Sequence, residues 1–230
     1  MLKDYGIIKR IASQMAAAAD EVAAAVIGDY ANLQGREEEI TGQLRGDINR
    51  RLLENVSRRL NNETINGCRV SVATFKKKQE NSVGADLAGA IELSANGRTI
   101  SKAFLAQAKV GTSYTGERGQ KFVRGYNKDV VRQADDMLKI SSDSFFFVYS
   151  DIGVHCVPAL QVSLSGSNTI DTGHHPFHTF GAFYEEFVKC FVGDNLISPS
   201  ALGATSLEDY AEKVKSLAVL KLGVQLKSPD

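Results

Sequence analysis

Residues 83–110 read VGADLAGAIELSANGRTISKAFLAQAKV, and this stretch decides the fold. Two runs with strand character flank Asn96 and Gly97, the dipeptide that most favours a two-residue hairpin turn, because both turn residues need a positive φ. If these two residues form the turn, Ala95 pairs with Arg98 and the two runs pair antiparallel. The sequence therefore predicts a β-hairpin of defined register.

The same register places three polar side chains on one face of the hairpin. Asp86 lies directly opposite Gln107, and Lys109 points to the same side because side chains alternate along a strand. Direct and diagonal neighbours of this kind lie within roughly 5–8 Å. The other face carries residues suited to a core, namely Leu87, Ile91, Leu93, Phe104, Ala106, Ala108 and Val110. We expect a polar site here, and a purely structural cross-strand salt bridge is the alternative.

Composition indicates an ordinary soluble globular protein. Of the 230 residues, 43% are hydrophobic and 23% are charged, which is typical of folded domains. No run of about 18 apolar residues suggests a membrane span, and the first residues do not resemble a signal peptide. We expect a cytoplasmic protein without membrane association, in which Cys68, Cys156 and Cys190 are buried, reduced thiols.

The formal charge of zero hides an asymmetry along the chain. Residues 36–139 contain 19 Lys and Arg against 13 Asp and Glu. A basic segment of this kind is expected of a surface that contacts nucleic-acid phosphates, although chance clustering of solvated side chains gives the same count. The candidate contacts are Lys76, Lys77 and Lys78 after a predicted strand, and Arg118, Lys121 and Arg124 in a stretch, 111–125, that we predict to be a loop.

Periodicity and chain breakers outline the remaining elements. Helices are predicted near residues 7–33, 36–60, 126–140, 180–192 and 207–217, and strands near 69–75, 145–149 and 154–157. Their order predicts an α/β fold with a mixed β-sheet flanked by helices. We expect a helical extension at 1–34, a core at 35–165, and a helical segment at 166–230 packed on that core.

Three acids open the second predicted helix. Glu37 is spaced three and seven residues from Ile40 and Leu44, so it leans toward the apolar face, where a carboxylate needs a partner or a metal. Acids in a first turn are also favoured by the helix dipole alone. Glu37 is therefore the preferred functional acid, with Glu38 and Glu39 as alternatives.

Asp86 followed by Gln107-Ala108-Lys109 resembles the metal-binding signature of the PD-(D/E)xK, or restriction-endonuclease-like, superfamily. That family places an acid on one central strand and an acid-x-Lys motif on the next, and Gln-x-Lys is a variant known within it. The resemblance covers about residues 36–160. It implies a restriction-endonuclease-like core with a mixed sheet between helices.

Two further positions extend the resemblance. Members of the family often carry a carboxylate on the helix before the sheet, where Glu37 stands. Many also carry a glutamine on the helix after the lysine strand, where Gln133 stands. Four elements in the expected order are more specific than any one of them.

The resemblance implies a magnesium site, with Mn²⁺ as a possible substitute. Asp86 would anchor the ion, the side-chain oxygen of Gln107 and the carbonyl of Ala108 would be further ligands, and Glu37 would complete the set. Hard cations of this class prefer oxygen ligands and assist phosphodiester hydrolysis. Lys109 would orient water or stabilise charge on the phosphate, and Gln133 would hydrogen-bond Lys109 or a phosphate.

The implied function is a metal-dependent DNA endonuclease, of the kind used in bacterial defence against phage or foreign DNA. Alternatives are a repair or junction-resolving nuclease, and a non-catalytic nucleic-acid-binding or assembly subunit. The amide of Gln107 replaces an acid, which removes one negative charge and weakens the expected metal affinity. DNA is the expected partner, and the N-terminal helix is a possible surface for a second copy or a partner protein.

Overall fold

An antiparallel hairpin occupies the middle of the main sheet, as the sequence predicts. The computed structural model describes residues 2–33, 37–48, 50, 65–95 and 98–225. Its strands are β1 (Ile65–Thr74), β2 (Leu87–Ala95), β3 (Arg98–Val110), β4 (Thr112–Thr115), β5 (Lys121–Tyr126), β6 (Ser144–Ser150), β7 (Gly153–Pro158), β8 (Thr169–Asp171) and β9 (His178–Thr179). Its helices are α1 (Leu2–Leu33), α2 (Glu37–Asp47), α3 (Lys77–Val83), α4 (Val130–Leu138), α5 (Ala159–Ser165), α6 (Phe180–Val188), α7 (Pro199–Leu202) and α8 (Leu207–Gln225).

The register of the hairpin is the predicted one. β2 and β3 pair from Ala95 opposite Arg98 to Leu87 opposite Ala106 without a shift. The turn residues at 96 and 97 lie outside the described part of the chain. The predicted pairing is nevertheless confirmed, because the strand residues on both sides fix it.

The hairpin belongs to a six-stranded sheet with the order β1-β2-β3-β6-β7-β9. β3 and β6 run parallel, and the other neighbouring strands run antiparallel. A parallel neighbour needs a long crossover, which here contains β4, β5 and α4. The predicted α/β class with a mixed sheet flanked by helices is confirmed.

One face of the sheet packs against α1, α2 and α6. Its buried residues include Ile11, Met15, Val22, Ile40, Leu44, Leu87, Ile91, Phe104, Ala106, Ala108, Phe147 and Phe183. Phe104 lies at the centre, with its ring edge-to-face to Phe183 at a centroid distance of 4.9 Å. A Cβ at Gly89 would lie 2.2 Å from Phe104 Cζ, so glycine leaves room for the tip of this ring. The apolar face predicted for the hairpin is confirmed.

The opposite face packs against α4, α5 and α8. Buried residues here include Ala88, Ala90, Leu105, Val130, Ala134, Met137, Phe146, Val148 and Val162. Since side chains alternate along β3, Gln107 and Lys109 lie on the side of Leu105. The polar site is therefore on the face that α4 covers.

The prediction of a loop at 111–125 is wrong. It forms the hairpin β4–β5, with Thr112 opposite Arg124 and Tyr114 opposite Phe122, and β8 adds a third strand. Glycine, serine and threonine suggested a loop, but the short strands also contain aromatic and β-branched residues that favour extended structure.

The terminal segments are integrated into the fold. The buried positions of α1, such as Met15 and Val22, belong to the first core, so this helix forms part of the layer on that face. Within the described residues, Ile8–Gly28 is the helix whose length and composition would permit a membrane span, a property shared by core helices of soluble proteins. The segment 166–230 supplies β8 and β9 in addition to α6, α7 and α8.

The cysteines do not all have the expected environment. Cys156 is fully buried in β7, and burial raises the pKa of its thiol well above the ordinary value. Cys190 is exposed, contrary to expectation, because α6 ends at Val188 and the chain then turns outward. The side chain of Cys68 lies outside the described part of the structure.

Candidate active site

Asp86 lies immediately before β2 and is held by hydrogen bonds from both of its backbone groups. Its N–H donates to the Ala106 carbonyl at 3.0 Å, and its own carbonyl accepts from the Phe75 N–H at 2.8 Å. The chain arrives from α3 through Gly84, whose φ is 77°. A Cβ at Gly84 would lie 2.5 Å from the backbone oxygen of Gln133, so glycine fits both the conformation and the space.

The carboxylate of Asp86 is fixed by two donors from β3. Its Oδ2 accepts from Gln107 Nε2 at 2.5 Å and from the Ala108 N–H at 2.7 Å. Hydrogen bonds to an ionised acceptor are stronger than neutral ones. The predicted contact between Asp86 and the residue opposite it is therefore present, as a hydrogen bond from an amide.

The amide of Gln107 is only half satisfied. The side chain is fully buried, and its Oε1 has no hydrogen-bond partner among the residues that the structure describes. Rotating the amide would turn this oxygen toward Asp86. Two oxygens would then face each other, an arrangement that requires a cation between them. The Gln107 oxygen could thus join Asp86 in binding a hard metal ion after this rotation, which would break the hydrogen bonds from Nε2 to Asp86 and the Ala108 carbonyl.

Lys109 is a buried lysine next to this pair. It is 4% exposed and lies two residues beyond Gln107 on the same side of β3. Lysines are rarely this buried in proteins unless a partner compensates the charge. Its side chain is therefore enclosed on the face of β3 that carries Gln107.

Gln133 lies on α4, the helix that covers this face. Its side chain is 7% exposed, and its Oε1 also lacks a partner in the described part of the chain. Its backbone carbonyl abuts Gly84. The predicted glutamine helix thus packs on the turn that leads into Asp86.

An open cleft of about 550 Å³ adjoins Asp86, and the charged side chains that line it are Glu38, Arg45, Lys77, Glu80 and Asp86. Among the acids of the first turn of α2 whose side chains the structure describes, Glu38 lines the cleft. Glu39 is exposed on the same turn. The side chain of Glu37, our preferred candidate, lies outside the described part of the structure.

One charged lining residue, Glu80, is not predicted from the sequence, because α3 is too short for its periodicity to be visible. Lys77 is predicted, as a phosphate contact. A group of three His, Cys, Asp or Glu side chains suited to a metal does not occur among the described residues. A cation at Asp86 would therefore depend on amide and backbone oxygens as well.

The predicted phosphate contacts fall into two groups. Lys76 and Lys77 are exposed at the start of α3, whereas the side chain of Lys78 lies outside the described part. Arg118 and Lys121 are exposed in the β4–β5 hairpin. The first group borders the cleft, and the second lies on the small sheet.

Arg124 has a different environment from the other cations. Its Nη2 lies 2.7 Å from Oδ2 of Asp171, and Tyr114 donates to Oδ1 of the same carboxylate at 2.6 Å. Burial alone would raise the pKa of Asp171, but the hydrogen bonds from Tyr114, the Gly173 N–H and Arg124 outweigh it and hold that pKa below its ordinary value. The charge of Arg124 is thus compensated by Asp171. The two residues are 47 positions apart in the sequence, so no local sequence pattern could reveal the pairing.

A scan against family models, a search of curated proteins and a search of solved structures each found no match to this chain.

Proposed function

We propose that the protein is a metal-dependent endonuclease that hydrolyses DNA phosphodiester bonds at Asp86, Gln107 and Lys109. The observation that carries the proposal is the Asp86 carboxylate, which two donors from β3 hold at the edge of an open cleft. The buried side chain of Lys109 lies on the same face of β3 as Gln107. A fixed carboxylate beside a confined ammonium is a suitable arrangement for binding and polarising a phosphate.

The residues that would hold Mg²⁺ or Mn²⁺ are Asp86, Gln107 through Oε1, Ala108 through its carbonyl, and Glu38 from the cleft wall. All supply hard oxygen donors. Such an ion, when bound, would neutralise developing charge on the phosphate and lower the pKa of a bound water. The unpartnered oxygen of Gln107 supports this assignment, because a buried carbonyl oxygen without a donor is unfavourable by about 1–3 kcal/mol.

The protein's own side chains have separate roles. The side chain of Gln107 and the Ala108 N–H hold the carboxylate of Asp86 in one orientation at the cleft, so little side-chain freedom remains to be lost on binding. Lys109 places a positive charge where the phosphate gains negative charge. Arg45 and Lys77 on the cleft wall attract the DNA backbone.

The assignment to the PD-(D/E)xK superfamily, and with it a restriction-endonuclease-like core over about residues 36–160, is part of the same proposal. It is supported by a mixed sheet with helices on both faces, and by an acid and a Gln-x-Lys motif on neighbouring central strands. A cytoplasmic role in bacterial defence follows from the family resemblance. A junction-resolving nuclease and a non-catalytic binding subunit are the alternatives that experiment separates.

The test is cleavage of supercoiled plasmid with Mg²⁺ or Mn²⁺ by the parent protein, Asp86→Ala and Lys109→Met. The chain offers a matched control in Lys102→Met. Lys102 is a second buried lysine of β3, 2% exposed, whose Nζ donates to the Val192 carbonyl at 2.8 Å. Seven residues separate it from Lys109, so it points to the opposite face.

We expect the parent and Lys102→Met to cleave at similar rates per folded molecule, and the two site variants to lose at least about 100-fold, as for removal of an electrostatic catalytic group. Cleavage that survives Asp86→Ala and Lys109→Met would refute the site. If the parent does not cleave but binds DNA with a steep salt dependence, the non-catalytic alternative replaces the nuclease proposal.

A further inference from the structure

The outer face of the small sheet β4-β5-β8 carries aromatic and basic side chains. Along β5, Val123 and Gly125 are buried, whereas Arg124 and Tyr126 are exposed. Cross-strand pairing adds Thr169 beside Tyr126. These exposed side chains share one side of the sheet, because paired residues point the same way.

Arg124 is held rigidly on this face. Its guanidinium lies 4.8 Å from the ring centroid of Tyr114, and its Nε donates to Asp171 Oδ2 at 2.8 Å. Its side chain remains 54% exposed. The outer side of the guanidinium plane is thus preorganised and open to solvent.

The charge of this face favours stacking over phosphate binding. Asp171 is 5% exposed in its side chain and neutralises Arg124, so the pair offers a flat polarisable surface with little net charge. Arg118 and Lys121 are exposed cations of the same β4–β5 hairpin. Planar guanidinium groups stack well on aromatic faces.

Tyr126 provides a second stacking surface beside a polar pocket. It is 71% exposed, and tyrosine is enriched at binding surfaces because its ring is apolar and its hydroxyl can stay hydrogen-bonded. The adjoining pocket has a volume of about 390 Å³ and is lined by Arg124, Ser165, Ser167, Thr169, Asp171, His174 and His175. This volume lies in the range of pockets that hold small organic ligands, and its hydroxyl and imidazole groups suit the edge of a base or a sugar.

We infer that this face binds an unpaired nucleotide of a nucleic-acid strand, with a base stacked on Tyr126 or Arg124 and its polar edge in the pocket. Stacking on exposed aromatic and arginine planes of a sheet is how proteins bind single strands without strong sequence preference. The inference rests on the proposed function, since the bound strand would be the nuclease substrate. The chain runs from Lys109 at the end of β3 through Gly111 directly into β4, so the small sheet begins three residues after the candidate active site.

The experiment measures fluorescence anisotropy of labelled oligothymidylate, its abasic counterpart of equal length, and a duplex, in EDTA so that no cleavage occurs. The variants are Tyr126→Ala and Tyr126→Phe. Phe191→Ala is the matched control, because Phe191 is 77% exposed outside the small sheet, in the chain after α6. Binding of each probe is compared at one salt concentration.

We expect Tyr126→Ala to weaken oligothymidylate binding about 5- to 100-fold, the range for loss of one stacked base, whereas Tyr126→Phe and Phe191→Ala stay near the parent value. The abasic probe should bind weakly and should not distinguish Tyr126→Ala from the parent. Equal binding of the abasic probe, or no effect of Tyr126→Ala on the normal one, would overturn the inference.

These outcomes are independent of cleavage. If plasmid cleavage is absent but Tyr126→Ala still weakens single-strand binding, the proposed nuclease function fails and the stacking face stands. If cleavage depends on Asp86 while Tyr126→Ala has no effect on binding, the stacking face fails and the nuclease proposal stands.

Discussion

Replacing Gln107 by glutamate tests the contact on which the candidate site depends. The buried amide donates to Asp86 Oδ2 at 2.5 Å, so Gln107→Glu would place two carboxyl groups in contact. Without a metal, the pair must share a proton, which raises the pKa of the new carboxyl group far above its ordinary value. The protonated form can donate to Asp86 as the amide does.

The destabilisation of Gln107→Glu equals the free energy needed to keep the new carboxyl group protonated. Taking an ordinary glutamate pKa of about 4.3 and 1.36 kcal/mol per unit, the destabilisation is about 4 kcal/mol at pH 7 and about 1 kcal/mol at pH 5. Because the pKa of the new carboxyl group is higher in the folded state than in the unfolded state, stability is lost as the pH rises above the unfolded-state pKa. Mg²⁺ should reverse the loss at pH 7, because a cation between the two carboxylates removes the need for the proton.

The assay is urea denaturation of the parent and Gln107→Glu at pH 5 and pH 7, in EDTA and in Mg²⁺. The control is Gln79→Glu, because Gln79 is 5% exposed and its Nε2 donates to Glu212 Oε1 at 2.6 Å, away from the Asp86 contact. Mg²⁺ should stabilise Gln107→Glu by several kcal/mol and Gln79→Glu by much less. Equal effects of Mg²⁺ on both, or a Gln107→Glu stability that does not change between pH 5 and 7, would refute the reasoning.

Two further predictions concern the scaffold. Gly84→Ala should lower the free energy of unfolding by about 2–4 kcal/mol, because φ is 77° and the new Cβ would press on the Gln133 carbonyl; unchanged thermal unfolding would contradict this. Tyr114→Phe removes a hydrogen bond that lowers the pKa of Asp171. The variant should therefore be less stable than the parent above the unfolded-state pKa of Asp171. This difference in stability should shrink as the pH falls through the folded-state pKa. Denaturation at pH 7 and pH 3 measures it, and an equal difference at both values would count against the assigned role.

The hairpin could be predicted because its determinants are local. The Asn96-Gly97 dipeptide predicts a two-residue turn and with it the register, and alternation then assigns every side chain to a face. The contact between Asp86 and Gln107 follows from these two rules alone. The separation of the apolar and polar faces of β3 follows in the same way.

The small sheet and its ion pair could not be predicted, because they depend on contacts between distant residues. β8 joins β5 from a stretch that reads as a Ser/Gly/Asn loop, and the pairing of Arg124 with Asp171 is set by the packing of that strand. The choice among the acids of α2 depends on where the helix begins, which sequence patterns locate only to within a few residues. An error of one residue there turns a different carboxylate toward Asp86.

The most direct test of the central claim is the Mg²⁺-dependent cleavage rate of a defined DNA duplex under single-turnover conditions, for the parent and for Asp86→Asn. The substitution keeps the size of the side chain and removes its charge. We predict cleavage by the parent that rises with Mg²⁺ concentration, and a rate at least about 100-fold lower for folded Asp86→Asn. Cleavage by Asp86→Asn at the parent rate would contradict the account.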